Sequence, residues 1–176
     1  MVEHVVENAV CPACGKKTLR TVIVEKELPH FGRAVIVTSK CSSCGYTHTD
    51  VMELEDRGKK VERLRVDSPE KLNYVVVRSS SGRVRIPELE LEIHPGPFSN
   101  GFITTVEGVL DRFEDATKKF QPESEEERRL KEQALDEIRR AKEGKLTFTL
   151  EIEDPRGVSG ILPPEKVESL RRDDES

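Results

Sequence analysis

All four cysteines of this 176-residue chain fall in two copies of one pattern, Cys11-Pro-Ala-Cys14-Gly15 and Cys41-Ser-Ser-Cys44-Gly45. Two Cys-x-x-Cys pairs on adjacent hairpins can deliver four thiolates to a single tetrahedral Zn²⁺. The glycine after each second cysteine admits φ > 0, so the backbone can turn tightly and aim amides at the sulfurs. Disulfides and a redox pair are the competing chemistries. Disulfides suit small secreted domains, whereas this chain is charge-rich and opens without a basic-plus-apolar leader. A redox Cys-x-x-Cys comes as one pair after a strand of a βαβ unit, and no such unit is visible. The spacing therefore favours structural zinc held by Cys11, Cys14, Cys41 and Cys44. Four thiolates complete the shell, so the metal has no open position for Lewis-acid chemistry, and His30 and His48 read as ordinary surface or packing residues.

The knuckles need hairpins to carry them. Thr18 to Glu25 and Ala34 to Thr38 are β-branched runs that read as strands, with a turn over Leu28 to Gly32, and Tyr46 to Met52 can pair as a third. Knuckle, hairpin, knuckle, strand is the layout of a zinc ribbon over residues 1–52. Residues 1–7 read as a poorly ordered lead-in. A module of this size builds little core, so metal supplies much of its folding energy.

Residues 53–170 read as a second module of β-structure. Val61 to Val66 and Asn73 to Arg78 are strands, the latter closed by the loop Ser79 to Gly82. Arg83 to Ile93 alternates, yet Val84 and Ile86 share one parity while Leu89, Leu91 and Ile93 share the other. A strand changes face only with an extra residue, so a bulge or corner is expected near Pro87-Glu88. After a turn-rich loop at 94–101, Val106, Val109, Leu110, Phe113, Thr117 and Phe120 recur at helical spacing, with Thr104 or Thr105 as N-cap. Ser124-Glu-Glu-Glu127 is a capping box for a second helix whose apolar stripe is Leu130, Ala134, Leu135, Ile138 and Ala141, stopped by Gly144. The stripe reads as core. A helical hairpin over about 104–143 thus interrupts the strands, and Lys145 to Ile152 alternates strictly after it. Ile161-Leu162 is a last short strand, and residues 171–176 read as a frayed tail.

Composition narrows the function classes. The net charge is −5, with 36% charged residues, which argues against a protein that coats nucleic acid by bulk electrostatics. Six Phe, two Tyr and no Trp leave a core of Val, Ile and Leu. No apolar run approaches a membrane span, so a cytoplasmic protein is expected. No phosphate loop of the Gly-x-x-x-x-Gly-Lys type occurs. Ser159, His94 and Asp154 can be assembled into a triad only on paper, so no enzyme is expected. Nucleic-acid binding is the alternative class: residues 9–50 hold six Lys or Arg against three acidic residues, with Phe31 and Tyr46 available to stack.

Several blocks together resemble the ZPR-type zinc-finger proteins of archaea and eukaryotes, from Cys11 to about Leu162. They are Cys-Pro-x-Cys-Gly at 11–15, Val35-Ile-Val-Thr-Ser39 leading to Cys41-x-x-Cys44-Gly-Tyr46, Ile86-Pro-Glu-Leu-Glu90, Ile103-Thr-Thr-Val-Glu-Gly-Val-Leu110, and Asp154-Pro-x-Gly-x-Ser159. The resemblance implies a mainly β (α+β) chain: a zinc ribbon followed by a double-stranded β-helix, or jelly-roll-like, domain with an inserted α-helical hairpin. Eukaryotic members carry two tandem copies of this unit, and this sequence looks like one. The family implies a non-catalytic protein that binds translation elongation factor 1-alpha as a folding or assembly aid. The family usually places Asn where this chain has Val158.

The loops at 94–105 and 153–160 are the candidate contact surface for such a partner, through Gly101, Thr104, Thr105, Glu107, Gly108, Asp154, Gly157 and Ser159. Each has a simpler role. Gly101 and the threonines either cradle an anion at a helix start or form a capped helix with its entry loop, and the capped helix is the favoured reading. Glu107 is either a first-turn dipole partner or a contact. Asp154 and Ser159 either bind or close an Asx-type turn, with the turn favoured.

Overall fold

The computed structural model describes residues 2–28, 32–97 and 99–167. Strands β1 (Val2–Ala9), β2 (Leu19–Leu28), β3 (Gly32–Cys41) and β4 (Thr47–Glu53) form one antiparallel sheet in chain order. The β2–β3 ladder runs without interruption from Leu19↔Cys41 to Leu28↔Gly32, and Val, Ile and Thr supply its interior, as side chains that fit a pleated surface do. The turn expected at Leu28 to Gly32 has its middle, Pro29 to Phe31, outside the described residues, where the expected frayed tail at 171–176 also lies; residues 164–167 form one helical turn.

Residues 2–9 correct the expected loose lead-in. They pair with β2 from Val2↔Glu25 to Val6↔Thr21, then shift register before Ala9 where Asn8 takes φ 58°. This strand is held by its ladder and not by burial, since Val5 and Val6 remain 43% and 47% exposed. A strand with no buried face leaves no period-2 signal.

The second module stacks two antiparallel sheets. One has the order β5 (Lys60–Val66), β10 (Phe148–Asp154), β7 (Arg83–Ile86), β8 (Leu91–Ile93). The other is β11 (Gly160–Leu162), β6 (Val75–Arg78), β9 (Phe102–Thr105). Of the bulge or corner expected at Pro87-Glu88, the structure has the corner, a full reversal of the chain. Pro87–Leu89 makes a 3₁₀ turn, Glu90 adopts φ 53°, and β8 folds back so that Ile86 faces Leu91 and Val84 faces Ile93. Opposite residues of an antiparallel pair share a face, so both parities reach one core.

Between β9 and β10 stand α1 (Val106–Lys119) and α2 (Glu125–Lys142). Thr105 caps α1, its hydroxyl accepting the Gly108 N–H at 3.0 Å. Ser124 caps α2 by accepting the Glu127 N–H at 3.1 Å, while the Glu127 carboxylate accepts from Glu123 N–H. Gly144 closes the helix at φ 69°, followed by the Lys145 N–H on the Arg140 carbonyl. Val109, Leu110, Phe113, Ile138 and Ala141 bury against Ile86, Phe148 and Leu150 in the main core. Leu130 departs from its assigned core role: it is 59% exposed, and Phe120, where α1 ends, is 48% exposed. A smaller apolar cluster joins the two modules, with Ala34 and Val51 of the ribbon against Val77, Val158 and Leu162.

The helices are also tied by charge. Lys142 of α2 reaches Asp111 at 2.6 Å and Glu114 at 2.7 Å on α1. Hydrogen bonds from Lys118 and Lys142 hold the Glu114 carboxyl at about 2, below its ordinary 4.5. A depressed native pKa gives stability that is full above the unfolded value and lost as pH falls toward the native one. Glu114→Gln should therefore lower the melting temperature at pH 7, and that deficit should close between pH 4.5 and pH 2. Melting curves of both proteins across this range check it, and a deficit independent of pH would contradict it.

Candidate functional site

The knuckles are built alike. In each, the glycine takes positive φ (72° at Gly15, 74° at Gly45) and returns its N–H to the carbonyl of the first cysteine. The Cys11 N–H reaches the Lys16 carbonyl and the Cys41 N–H reaches the Tyr46 carbonyl, which closes both loops. Thr18 then joins them: its carbonyl accepts the Ser42 N–H and its hydroxyl lies 3.2 Å from Cys41 Sγ. The four sulfurs converge within 4.8 Å of one another, with Cys11–Cys44 and Cys14–Cys41 both at 3.8 Å. A tetrahedron with metal–sulfur bonds of about 2.3 Å has edges of about 3.8 Å. The donor set and its dimensions fit a tetrahedral metal ion, and the four cysteines are positioned to hold it.

The thiols also differ in their surroundings. The Thr18 hydroxyl, assisted by the Cys44 and Ser43 amides, lowers Cys41 to about 6 against the opposing effect of burial. At Cys44 the Tyr46 amide favours the thiolate, but desolvation and the neighbouring thiols push it up to about 12.

The loops at 94–101 and 153–160 converge on the turn Ser79–Gly82. Arg78, 2% exposed, stands at one side of it. Its guanidinium donates to the Gly82 and Asn100 carbonyls and to Ser99 Oγ, each at 2.8 Å, and lies over the Phe102 ring at 5.4 Å. Asp154, 1% exposed, stands at the other. It accepts from Ser79 Oγ and Ser81 Oγ at 2.8 Å, from the Arg156 and Ser159 amides, and from Ser159 Oγ at 2.5 Å. Ser159 Oγ in turn accepts the Ser79 N–H at 2.9 Å. Burial alone would raise the Asp154 carboxyl, and these donors instead hold it below the usual carboxylate range. His94 pairs with Glu92, so no base approaches Ser159 from that residue.

The expected contact residues therefore divide. Asp154, Gly157, Ser159 and Gly101 are buried, and their polar groups face inward. The Gly101 N–H is taken by Asp50 Oδ1 at 2.5 Å, and a Cβ there would meet the Val51 and Arg78 carbonyls at 2.7 Å. Gly157 sits at φ 73°, where a Cβ would lie 2.6 Å from the Gly58 carbonyl. Thr104, Thr105 and Gly108 form one local device: Thr105 caps Gly108, and the Thr104 hydroxyl fills the space a Gly108 side chain would need. The capped-helix reading holds and an anion cradle does not, since the Val106 N–H is also used, by the Tyr74 carbonyl. Glu107 alone is fully at the surface. Val158, where an Asn was the family's expected residue, is fully buried in the seam between ribbon and β-domain. Sequence reasoning overlooked Arg78 and Asp50, whose only signal was an isolated charge inside or beside an apolar run.

A cysteine metal ribbon packed against a jelly roll that carries a helical hairpin is the class these features define. Residues 4–56 match the ZPR1 zinc-finger domain and residues 70–174 the ZPR1 jelly-roll domain, and the chain belongs to this ZPR1 family. It is 38% identical over 160 residues to a ZPR1-like protein of Methanocaldococcus jannaschii, covering 89% of this chain and 81% of that one. A ZPR1-like protein of Pyrococcus horikoshii is 37% identical over 168 residues, covering 92% and 74%. The zinc finger chaperone zpr1 of Schizosaccharomyces pombe is 31% identical over 157 residues, covering 84% of this chain and 34% of that one. The chain thus spans about a third of the fission-yeast protein.

Two outcomes follow for the site. Cys11→Ser should abolish stoichiometric metal, read by elemental analysis, and unfold the knuckle end of the ribbon while leaving the jelly roll; retention of one ion per chain would contradict the ligand set. Asp154→Ala leaves several buried donors unsatisfied and should cost on the order of 3 kcal/mol in denaturant unfolding. A loss under about 0.5 kcal/mol would show that water replaces the carboxylate, since that is the usual scale of surface substitutions.

Proposed function

We propose that this chain is a non-catalytic zinc protein that binds an elongation factor 1-alpha-like GTPase in the cytoplasm and aids its folding or assembly. The observation that carries the reading is kinship with the fission-yeast protein named a zinc finger chaperone. The metal is zinc on this reading, supported by an all-thiolate donor set of tetrahedral dimensions and by the zinc-finger description of the matching domain. Two features support a binding role over catalysis. The cysteine site offers no fifth ligand position, and Ser159 and Asp154 are consumed in holding loops.

Nucleic-acid binding is less favoured. Of the basic residues on the ribbon, Arg20 pairs with Glu7 and Arg33 with Glu25, so the expected basic face is partly neutralised from within the sheet. No helix among the described residues is long and apolar enough to cross a membrane.

Immobilised protein should retain purified elongation factor from the same cell. Absence of retention both with and without guanine nucleotide would overturn the reading. In parallel, filter binding to RNA should show no complex even at low salt, and an affinity that falls steeply with salt would transfer the function to nucleic acid.

A further inference from the structure

The ribbon and the jelly roll meet edge to edge. Strand β4 is the outer strand of the ribbon sheet, β9 is the outer strand of the three-stranded sheet, and the two approach each other where Asp50 binds the Gly101 amide. Beyond that contact the edges diverge and leave a groove of about 450 Å³, lined by Thr47, His48 and Thr49 on one side and Asn100 to Ile103 on the other, with Arg112 of α1 at its wall. Outer strands carry backbone N–H and C=O groups that no neighbour pairs.

Arg112 is the unusual member. Its guanidinium lies 4.3 Å from the centroid of the Phe102 ring, and among the described residues it makes no hydrogen bond or ion pair. Phe102 is itself buried and backed by Arg78, so the wall is rigid and electropositive. His48 stacks on Tyr46 at 6.4 Å between ring centroids. Asp50, the acidic group at the closed end of the seam, already uses its Oδ1 on the Val51 and Gly101 amides. A free phosphate would need convergent amides at the helix start, and three of those there are engaged: Gly101 by Asp50, Val106 by the Tyr74 carbonyl and Gly108 by Thr105. What remains is a strand edge, one unpaired guanidinium and the half-exposed side chain of Ile103, at 38%.

We propose that this groove receives an extended acidic segment of a partner protein, which adds to the free edge of β9 and sets a carboxylate on Arg112 while an apolar neighbour rests on Ile103. Strand addition supplies main-chain affinity, and the alternating side chains supply selection. An Arg–carboxylate contact adds geometry as well as charge. The groove deepens the reading of the chain as a partner-binding protein and rests on it.

The test uses the full chain with its metal and a synthetic peptide alternating Glu and Val. Fluorescence anisotropy should show binding, and amide shifts should be confined to residues 47–49 and 102–105. Arg112→Ala should weaken binding about tenfold or more, with Arg112→Lys intermediate. Arg112 is exposed, so metal content and melting temperature should not change; Ile103→Glu provides a second surface variant that should also repel the peptide. Equal binding of a Lys/Val peptide, unchanged affinity in both variants, or shifts at these residues from inorganic phosphate or oligouridylate would overturn the groove assignment. If wild-type protein retains the elongation factor but ignores the acidic peptide, the groove assignment alone falls. If Arg112-dependent peptide binding occurs without any factor retained, the choice of partner alone falls.

Discussion

Two buried charges that do not touch each other set the shape of the loop surface. Arg78 and Asp154 are both almost wholly removed from water, and a bare charge in such a place is prohibitive. The chain replaces their hydration with its own polar groups. Arg78 takes carbonyls from 82 and 100 and the hydroxyl of Ser99; Asp154 takes hydroxyls from 79, 81 and 159 and amides from 156 and 159. Each ligand comes from a loop, so each loop must adopt the one conformation that presents it. Three segments without regular structure become rigid because two ions need them. Desolvation lowers the Arg78 pKa, with Arg112 adding to the effect, yet a guanidinium stays protonated at any ordinary pH.

The ribbon is fastened at both ends by different physics. At the knuckle end its apolar content is small, Leu19 with two cysteines against Ala9 and Tyr46, and metal–thiolate bonds must supply cohesion. At the opposite end Ala34 and Val51 pack on Val77, Val158 and Leu162, an ordinary apolar contact. Val158 explains itself here. A polar amide at a fully buried position would need its own partners, whereas a valine completes the seam. Gly101 is required at the same seam because the backbones of β4 and β6 approach it too closely for any Cβ.

Legibility in the sequence followed the physics of each element. The cysteine pairs were readable because metal ligation demands a residue type and a spacing at once. The helices were readable because burial on one face imposes a period, and caps such as Thr105 and Ser124 use short-range chemistry. Strand β1 escaped because backbone pairing alone leaves no side-chain pattern, and β9 escaped because its four residues run directly into a helix cap. The parity change at Pro87-Glu88 left a bulge and a corner both open, since either changes the face, and the chain takes the corner as a tight hairpin. The roles of Arg78 and Asp50 depend on contacts across long stretches of chain, which no local window contains.

The block Thr104-Thr-Val-Glu-Gly108 illustrates how a distinctive motif can be a device of folding. Its first threonine requires that position 108 lack a side chain, its second caps the helix, and its valine enters the core. Only Glu107 is left to the solvent. The same division holds at the Asp154 loop, where Asp154 and Ser159 turn inward and Arg156 is left to the solvent. Residues that define the family's outline here build the shape of the surface, and the residues free to meet another molecule are their neighbours. Ile103 and Arg112 are such neighbours: the first leaves much of its side chain in water, and the second rests its guanidinium on the Phe102 ring with its N–H groups unpaired among the described residues.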